Sequence, residues 1–196
     1  MILLMAFTSF FVMSYSTLMP VFAKDVFKGD AGTYSLLNSI SGLGALIGAI
    51  YMAGLKNTTN IRRVVIYSSI LCGASIAAFA LCNNFTAALI CILPSGMGMM
   101  MQIAGTNTFI QTTVADDMRG RVISYYVMAF QGMQPLGSFF AGLGAHHASA
   151  QTVLFIQGTV GVITAILFGL LFQRMKNQRI KAEREGPSVL ENANSV

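Results

Sequence analysis

The sequence has little charge and no tryptophan, and its few cysteines follow no metal-ligand spacing. Asp, Glu, Lys and Arg make up 10% of its 196 residues, whereas a soluble domain usually carries about 25%. So little charge cannot cover a surface that faces water, and the composition therefore excludes an ordinary soluble domain. Hydrophobic residues make up 55%, and the mean hydropathy is +0.66. These values are typical of a chain that lies in a lipid bilayer.

The cysteines Cys72, Cys82 and Cys91 lie in or at the edge of apolar segments. Their odd number and spacing favour small buried hydrophobic side chains, with a redox or metal role as the alternative. We therefore expect no cofactor and no metal. The net charge of +5 does not indicate a nucleic-acid partner, because the basic residues are spread over loops and a tail.

The sequence consists mainly of long apolar runs separated by short polar gaps. They predict six membrane helices, each long enough to cross a bilayer, near 1–23, 34–54, 62–82, 86–113, 122–145 and 151–172. The membrane domain thus covers 1–172, and we expect the basic tail, 173–196, to be disordered after one helical extension. No basic region precedes the first run, which argues against a signal peptide. Because Met1 already starts a helix, we expect a piece of a longer chain or a half-sized gene product.

Basic residues are concentrated in alternate gaps between these helices. Apart from Lys24 and Lys28, every Lys and Arg lies in the second gap, the fourth gap or the tail. The positive-inside rule places these segments in the cytoplasm, and an even number of helices returns both termini to that side. The sequence therefore predicts an all-α, multi-pass membrane protein with both ends cytoplasmic.

The interior of the six segments holds no Asp, Glu, Lys or Arg, so this chain offers no buried carboxylate for a proton relay. It also holds no cluster of His, Asp and Glu and no activated nucleophile, and we expect no enzyme activity. His146 and His147, in the fifth gap, are interpreted as solvated loop residues rather than as a pH sensor.

Uncharged polar residues do enter the spans, mainly in the first, fourth and fifth helices. Amides in hydrocarbon need partners or water, so they indicate helices that line a cavity or an interface. Two amide pairs are spaced by three or four residues, which puts each pair on one helix face. The alternative is that these residues only join helices. The candidate substrate-pathway residues are Tyr15, Asn38, Asn107, Gln111, Gln131 and Gln134.

Small residues recur at a spacing of four in the second and fifth helices. In lipid, such faces let two helix backbones approach closely. We favour tight packing, with sliding against a partner as the functional alternative. Pro94 and Pro135 are expected to interrupt the fourth and fifth helices. The small-residue pairs are Gly44-xxx-Gly48, Ser41-xxx-Ala45, Gly137-xxx-Ala141 and Ser138-xxx-Gly142.

Two of the basic gaps resemble motifs of the major facilitator superfamily. The run from Gly48 to Lys56, followed by Ile61-Arg62-Arg63, resembles a degenerate copy of the motif between the second and third helices, which recurs between the eighth and ninth. The run from Gln111 to Ser124 is similar to the segment between helices ten and eleven. It is most like the branch that contains the enterobactin exporter and macrolide efflux proteins.

The resemblance covers nearly the whole chain and implies the carboxy-terminal six-helix half of a twelve-helix transporter, built from two inverted three-helix repeats. It implies alternating access, with a small amphipathic substrate such as a drug or siderophore exported across a bacterial inner membrane. A lone half leaves its cavity face against lipid, so we expect a second six-helix half or self-association. The alternative is a non-transporting membrane subunit that scaffolds a larger complex.

The loop that carries the second motif is predicted to be a cytoplasmic latch. Asp116 and Asp117 would accept hydrogen bonds from an Arg or a helix N-terminus, and Arg119 or Arg121 would hold carboxylates on facing helices. Gly120 would permit a tight turn. The alternative is that the two arginines only determine the topology.

Overall fold

The computed structural model describes the backbone of residues 2–55 and 60–193, and within them the side chains other than those at 2, 5, 13 and 175–193. This part is all-helical. Helix α1 consists of four consecutive segments, which are α-helical Ile2–Thr8, π-helical Ser9–Met13, α-helical Tyr15–Val21 and π-helical Phe22–Val26. The other helices are α2 (Ala31–Ala53), α3 (Ile61–Ala80), α4 (Phe85–Thr113), α5 (Asp116–His147) and α6 (Ala150–Ala193).

Five stretches of the described chain are long and apolar enough to cross a membrane: Ala6–Val26, Ala31–Ala53, Ile61–Ala80, Phe85–Thr113 and Ala150–Arg174. They belong to α1, α2, α3, α4 and α6. Helix α5 is long enough to cross but less apolar, since it carries charged residues at its start and amides in its middle. All six predicted helices are therefore present, and α5 differs from the others in polarity.

Two helix boundaries differ clearly from those that the sequence predicted. Helix α5 begins at Asp116 rather than near 122, because Asp116 and Asp117 in its first turn complement the positive end of the helix dipole. Helix α6 continues to Ala193 without a break near 172. The division into a membrane domain and a disordered tail therefore stays a prediction.

Helix α4 runs through Pro94 without a break, so the expected interruption is wrong. The residues after this proline pack closely against two neighbouring helices. A Cβ atom at Gly96 would collide with the carbonyl oxygen of Ser41 in α2, and one at Gly98 would lie 2.7 Å from the carbonyl oxygen of Ser68 in α3. Close packing on both sides holds this part of α4 in helical form.

Helix α5 likewise runs through Pro135. A proline leaves the carbonyl four residues before it without its usual N–H donor. Next to that position, the Ser9 hydroxyl of α1 donates to the Phe130 carbonyl at 2.5 Å. This hydrogen bond ties α1 to α5 beside the proline, but the carbonyl that lacks its usual donor is that of Gln131.

Helix α4 lies at the centre of the bundle and packs against α2 and α3, and α3 also packs against α6. Helix α1 packs mainly against α5 and also contacts α6. At one end, the Gln151 amide donates to Asn83 Oδ1 at 3.1 Å, and the rings of Phe27 and Phe85 lie 5.6 Å apart. These contacts gather the α1–α2, α3–α4 and α5–α6 loops at that end. The other two loops and the end of α6 lie opposite, and we call this the basic end.

Glycine makes the closest helix contacts in the bundle. A Cβ atom at Gly48 would lie 2.6 Å from the Met97 carbonyl oxygen, and Gly137 packs against the Phe10 carbonyl of α1. Helices α3 and α6 approach in the same way, since a Cβ atom at Gly73 would lie 2.9 Å from the carbonyl oxygen of Gly158. The close contacts of Gly48 in α2 and of Gly137 in α5 support the interpretation of the small residues as tight packing.

Not every small residue of the predicted faces is buried in such a contact. Ser138 instead accepts a hydrogen bond from the Thr17 hydroxyl at 2.8 Å, which ties α5 to α1 a second time. Nothing lies within 4 Å of a Cβ atom at Gly142, and its face is exposed. Of the second small-residue pair of α5, Ser138 therefore belongs to the interface with α1 and Gly142 does not.

We expect Gly44→Ala to lower the stability of the protein and Gly42→Ala to leave it unchanged or raised. A methyl group at Gly44 meets the backbone carbonyl of Leu93, whereas nothing lies within 4 Å of one at Gly42. Overpacking costs about 1–3 kcal/mol, while alanine at the open position gains up to about 1 kcal/mol of helix propensity. Thermal unfolding in one detergent compares the variants. Equal midpoints would contradict the close approach of α2 and α4.

Candidate functional site

Tyr15 joins two helices instead of facing an open cavity. Its side chain is buried, and its hydroxyl lies 3.2 Å from the Ser41 hydroxyl of α2. For this member of the predicted pathway, the structure supports the alternative in which a polar residue only joins helices.

Asn107 and Gln111 lie on one face of α4, as their spacing predicts. The Gln111 amide donates to Asn107 Oδ1 at 3.2 Å. Asn107 is half-buried and Gln111 is exposed, near the end of α4 at the basic end of the bundle. Among the described residues, the Asn107 amide nitrogen and the Gln111 amide oxygen have no hydrogen-bond partner.

The remaining predicted pathway residues lie at other depths. Asn38 is exposed on the second turn of α2, towards the opposite end, whereas Gln131 and Gln134 lie near the middle of α5. Gln131 is exposed and Gln134 is half-buried. Among the described side chains, no hydrogen bond joins these three to one another or to the α4 pair. The structure therefore distributes the predicted residues along the bundle and does not gather them into one compact site.

Arg119 connects the end of α4 to the start of α5. Its Nη2 atom lies 2.5 Å from Asp116 Oδ1 and 3.5 Å from the carbonyl oxygen of Val114, the residue that follows the last turn of α4. Both partners are local, so Arg119 does not reach a facing helix. Asp117 and Arg121 are exposed, and in the described part of the chain neither forms an ion pair.

The expected tight turn at Gly120 is wrong. Gly120 lies in the second turn of α5 with a negative φ, and nothing lies within 4 Å of a Cβ atom there. The chain turns instead at Val114 and Ala115, whose backbone is extended. The carboxylates of the motif therefore stabilise a helix start, which explains why the turn comes before them.

Gln102 is a polar residue that the pathway prediction missed. Its side chain is fully buried, and neither amide atom has a hydrogen-bond partner among the described residues. Thr106, one turn further on the same face, is also buried with an unpaired hydroxyl. Their neighbours Gly98 and Gly105 contact α3, so this face of α4 is turned towards α3. The spacing of four residues between Gln102 and Thr106 places both on one helix face, but the spacing does not tell whether that face is buried.

The three cysteines lie in apolar surroundings. Cys72 is buried, and the Sγ atoms of Cys82 and Cys91 lie 3.7 Å apart at the end opposite the basic end. Burial raises the pKa of the Cys82 thiol to about 11, with a smaller contribution from its hydrogen bond to Cys91. A protonated thiol is a poor nucleophile and metal ligand. These positions agree with the packing interpretation.

A cavity of about 600 Å³ opens at the basic end between α3, α4 and α6. None of the predicted pathway residues lines it. The cavity lies on the side of the bundle formed by α3 and α6, which we call the scaffold side.

We expect Gln102→Leu to raise the stability of the protein. The substitution removes a buried amide without a protein partner, whose burial costs about 1–3 kcal/mol. Gln111→Leu serves as the control, since an exposed substitution usually changes stability by less than about 0.5 kcal/mol. Thermal unfolding in a single detergent measures both. A lower midpoint for Gln102→Leu would mean that the amide has a structural role.

Comparison with known proteins supports a membrane transporter. A family model described as transmembrane secretion effector matches residues 1–193. The chain is 25% identical over 163 residues to the Staphyloferrin A transporter of Staphylococcus aureus (strain NCTC 8325 / PS 47). The matched stretch covers 83% of this chain and 41% of that transporter, so the chain spans less than half of the relative's length. Because the family model covers nearly all of the sequence, the chain belongs to the transmembrane secretion effector family of the major facilitator superfamily of transporters.

Proposed function

We propose that this chain is the carboxy-terminal six-helix half of a secondary transporter that exports a small amphipathic molecule by alternating access. Family membership supports transport across a membrane. The share of the relative that is matched, 41%, is close to what one six-helix half would occupy. The observation that carries the proposal is the pattern of helix pairs in the bundle.

The helix pairs agree with an inverted repeat in which α1–α3 correspond to α4–α6. In such a repeat, α1 is equivalent to α4, α2 to α5 and α3 to α6. The α2–α4 contact is then equivalent to the α5–α1 contact, and the α3–α4 contact to the α6–α1 contact. The α3–α6 contact is equivalent to itself. All five contacts occur in the bundle. This pattern is the one expected for half of a major facilitator fold.

Glycines occupy corresponding places in the two triplets. Gly44 of α2 packs against a backbone carbonyl of α4, and Gly137 of α5 packs against a backbone carbonyl of α1. Gly73 and Gly158 approach each other across the α3–α6 contact, which is equivalent to itself in the repeat. Glycines at corresponding helix crossings support a repeat, because the two helix backbones must approach equally closely at each of these crossings.

In this arrangement α1 and α4 line the substrate pathway, and α2 and α5 lie beside them. The exposed amides of Asn38, Gln111 and Gln131 would then face a water-filled cavity instead of lipid. The same side of α5 exposes the apolar side chains of Met128 and Phe139. Such a wall combines hydrogen-bonding groups with apolar surface, which suits an amphipathic substrate.

The proposed orientation follows from the basic residues. The end of the bundle that carries Arg62, Arg63, Arg119 and Arg121 is cytoplasmic by the positive-inside rule. Both termini then lie in the cytoplasm, and the membrane is the bacterial inner membrane. The last turn of α5 faces the outside, and it holds His146 and His147, which are exposed but lie in the helix and not in a loop as the sequence predicted.

A second six-helix unit completes the transporter in this proposal. It is supplied by the same polypeptide, by a separate chain or by a second copy. It would cover α2 and α5, whose exposed faces mix apolar residues with amides. It would also carry the titrating group of a proton-driven cycle, since the spans described above hold no carboxylate in their interior.

Arg121 is the residue of the motif that is free to act as the latch. It is exposed at the cytoplasmic end, whereas Arg119 is already held by Asp116. We therefore refine the latch hypothesis: Arg119 fixes the α4–α5 connection, and Arg121 holds a carboxylate of the second unit in one state of the cycle. Each charged hydrogen bond of this kind contributes about 1.5–3 kcal/mol.

We expect Arg121→Ala to slow export by about tenfold while membrane insertion is unchanged, because the charged hydrogen bond to the second unit is lost. Export is measured in cells that produce the complete transporter, with ethidium and staphyloferrin A as probe compounds. Arg174→Ala is the matched control, since it removes an exposed arginine from the same end outside the motif.

An unchanged export rate in well-inserted Arg121→Ala would contradict the latch. No export of either probe by the wild type would contradict the proposed amphipathic substrate class. In that case, purification of the native particle together with an unrelated membrane complex would favour the alternative of a scaffold subunit.

A further inference from the structure

The cavity at the basic end has both apolar and polar walls. It lies between the first turns of α3, the last turn of α4 and the part of α6 before Gln173. Ile66 of α3 contacts α6, where a Cβ atom at Gly169 would lie 3.2 Å from its Cγ2 atom. This contact bounds the cavity on its inner side. The apolar side chains that line it are Ile61, Ile66, Ile70, Phe109, Ile166, Leu170 and Phe172, and the uncharged polar ones are Asn60, Tyr67, Thr112, Thr113 and Gln173.

Two arginines line the mouth of this cavity, and none of the described carboxylates pairs with them. The Arg62 guanidinium lies over the Phe109 ring, with 4.9 Å between Cζ and the ring centroid. Arg63 is exposed beside it and also lines the cavity. No acidic residue lines the cavity, and within the described ranges neither arginine forms an ion pair. The two guanidinium groups therefore attract an anion, and the apolar side chains beside them can hold an apolar group.

The depth of these groups matches the border of a membrane. Arg62 and Arg63 lie in the first turn of the span Ile61–Ala80, where the polar headgroups of lipids are found. Ile70 lies two turns deeper, at the level of the acyl chains. On the outside, Ile166 and Leu170 of α6 are about half exposed, as expected for a surface that faces lipid.

We propose that this cavity binds an anionic glycerophospholipid of the inner leaflet. Its phosphate contacts Arg62 and Arg63, and an acyl chain lies against Ile66, Ile70 and Leu170. Basic pockets between membrane helices on the cytoplasmic side bind anionic lipid headgroups by this chemistry. The volume of about 600 Å³ is within the usual range of ligand sites. The assignment to the inner leaflet rests on the orientation proposed above. The contacts between lipid and protein do not depend on that orientation.

A lipid in this position would join the cytoplasmic ends of α3, α4 and α6. These ends have no salt bridge between them in the described part of the chain. The bound lipid would therefore stabilise the scaffold side of the bundle while leaving the pathway side free to move. Stability should depend on the headgroup charge of the lipids supplied.

Native mass spectrometry of the purified protein, with dioleoylphosphatidylglycerol added in detergent, tests the proposal. We expect one retained lipid on the wild type and a loss of affinity of about fivefold for each arginine removed, in Arg63→Gln and in the double variant Arg62→Gln/Arg63→Gln. Arg63→Lys keeps the charge and should keep most of the binding. Arg174→Gln is the matched control outside the cavity, and binding there should equal that of the wild type.

Two further ligands, a zwitterionic lipid and inorganic phosphate, distinguish anionic lipid from other ligands. The unfolding midpoint, measured in the same samples, shows whether each variant is folded. Dioleoylphosphatidylcholine should be retained less and should raise the unfolding midpoint less than phosphatidylglycerol does. Inorganic phosphate at the same concentration should produce no shift, because it cannot use the apolar wall. Equal retention by the wild type and Arg63→Gln, an equal effect of the two lipids, or the full shift with phosphate alone would each overturn the proposal. Since no transport is measured, failure here would leave the proposed export function intact.

Discussion

The bundle depends on close approach between helix backbones. In lipid, apolar surface gains little by moving from solvent to protein, so packing and hydrogen bonds between helices must hold the fold together. Gly44 and Gly137 allow the main crossings of α2 with α4 and of α5 with α1, and Gly73 with Gly158 allows that of α3 with α6. The hydroxyl groups of Ser9 and Thr17 strengthen the contact between α1 and α5, where fewer residues meet.

These crossings determine which faces remain uncovered. Helices α3 and α6 pack against each other through their small residues. The outer face of α6 is apolar, with Ile163 and Leu167 about half exposed. Helices α2 and α5 use their small residues on α4 and α1 and leave faces that contain Asn38 and Gln131. In the proposed transporter the first side faces lipid, and the second, which exposes amides together with apolar residues such as Ile50 and Phe139, faces water or a second unit. This asymmetry links the packing to the proposed transport function, and the cavity at Arg62 and Arg63 belongs to the lipid side.

Much of the fold could be predicted from the sequence, because apolar runs, small-residue spacing and the motif around Asp116 are local signals. Details that depend on tertiary contacts could not. Whether Gly120 lies in a turn or in a helix depends on where α5 begins, and the two carboxylates move that point earlier. An amide pattern does not tell which face meets protein, so Gln102 was missed. Tyr15 was assigned to the pathway, but Ser41 of α2 lies close enough to bind its hydroxyl.

The central claim is that the amide-bearing face lines a water-filled pathway while the outer face of α6 meets lipid. Cysteine accessibility in native membranes tests it most directly, with Gln131→Cys and Ile163→Cys made in a variant whose native cysteines are replaced by serine or alanine. Maleimides react with the thiolate, which forms in water and not in hydrocarbon. The account predicts rapid labelling at position 131 and little at position 163. Equal labelling, or labelling only at position 163, would contradict it.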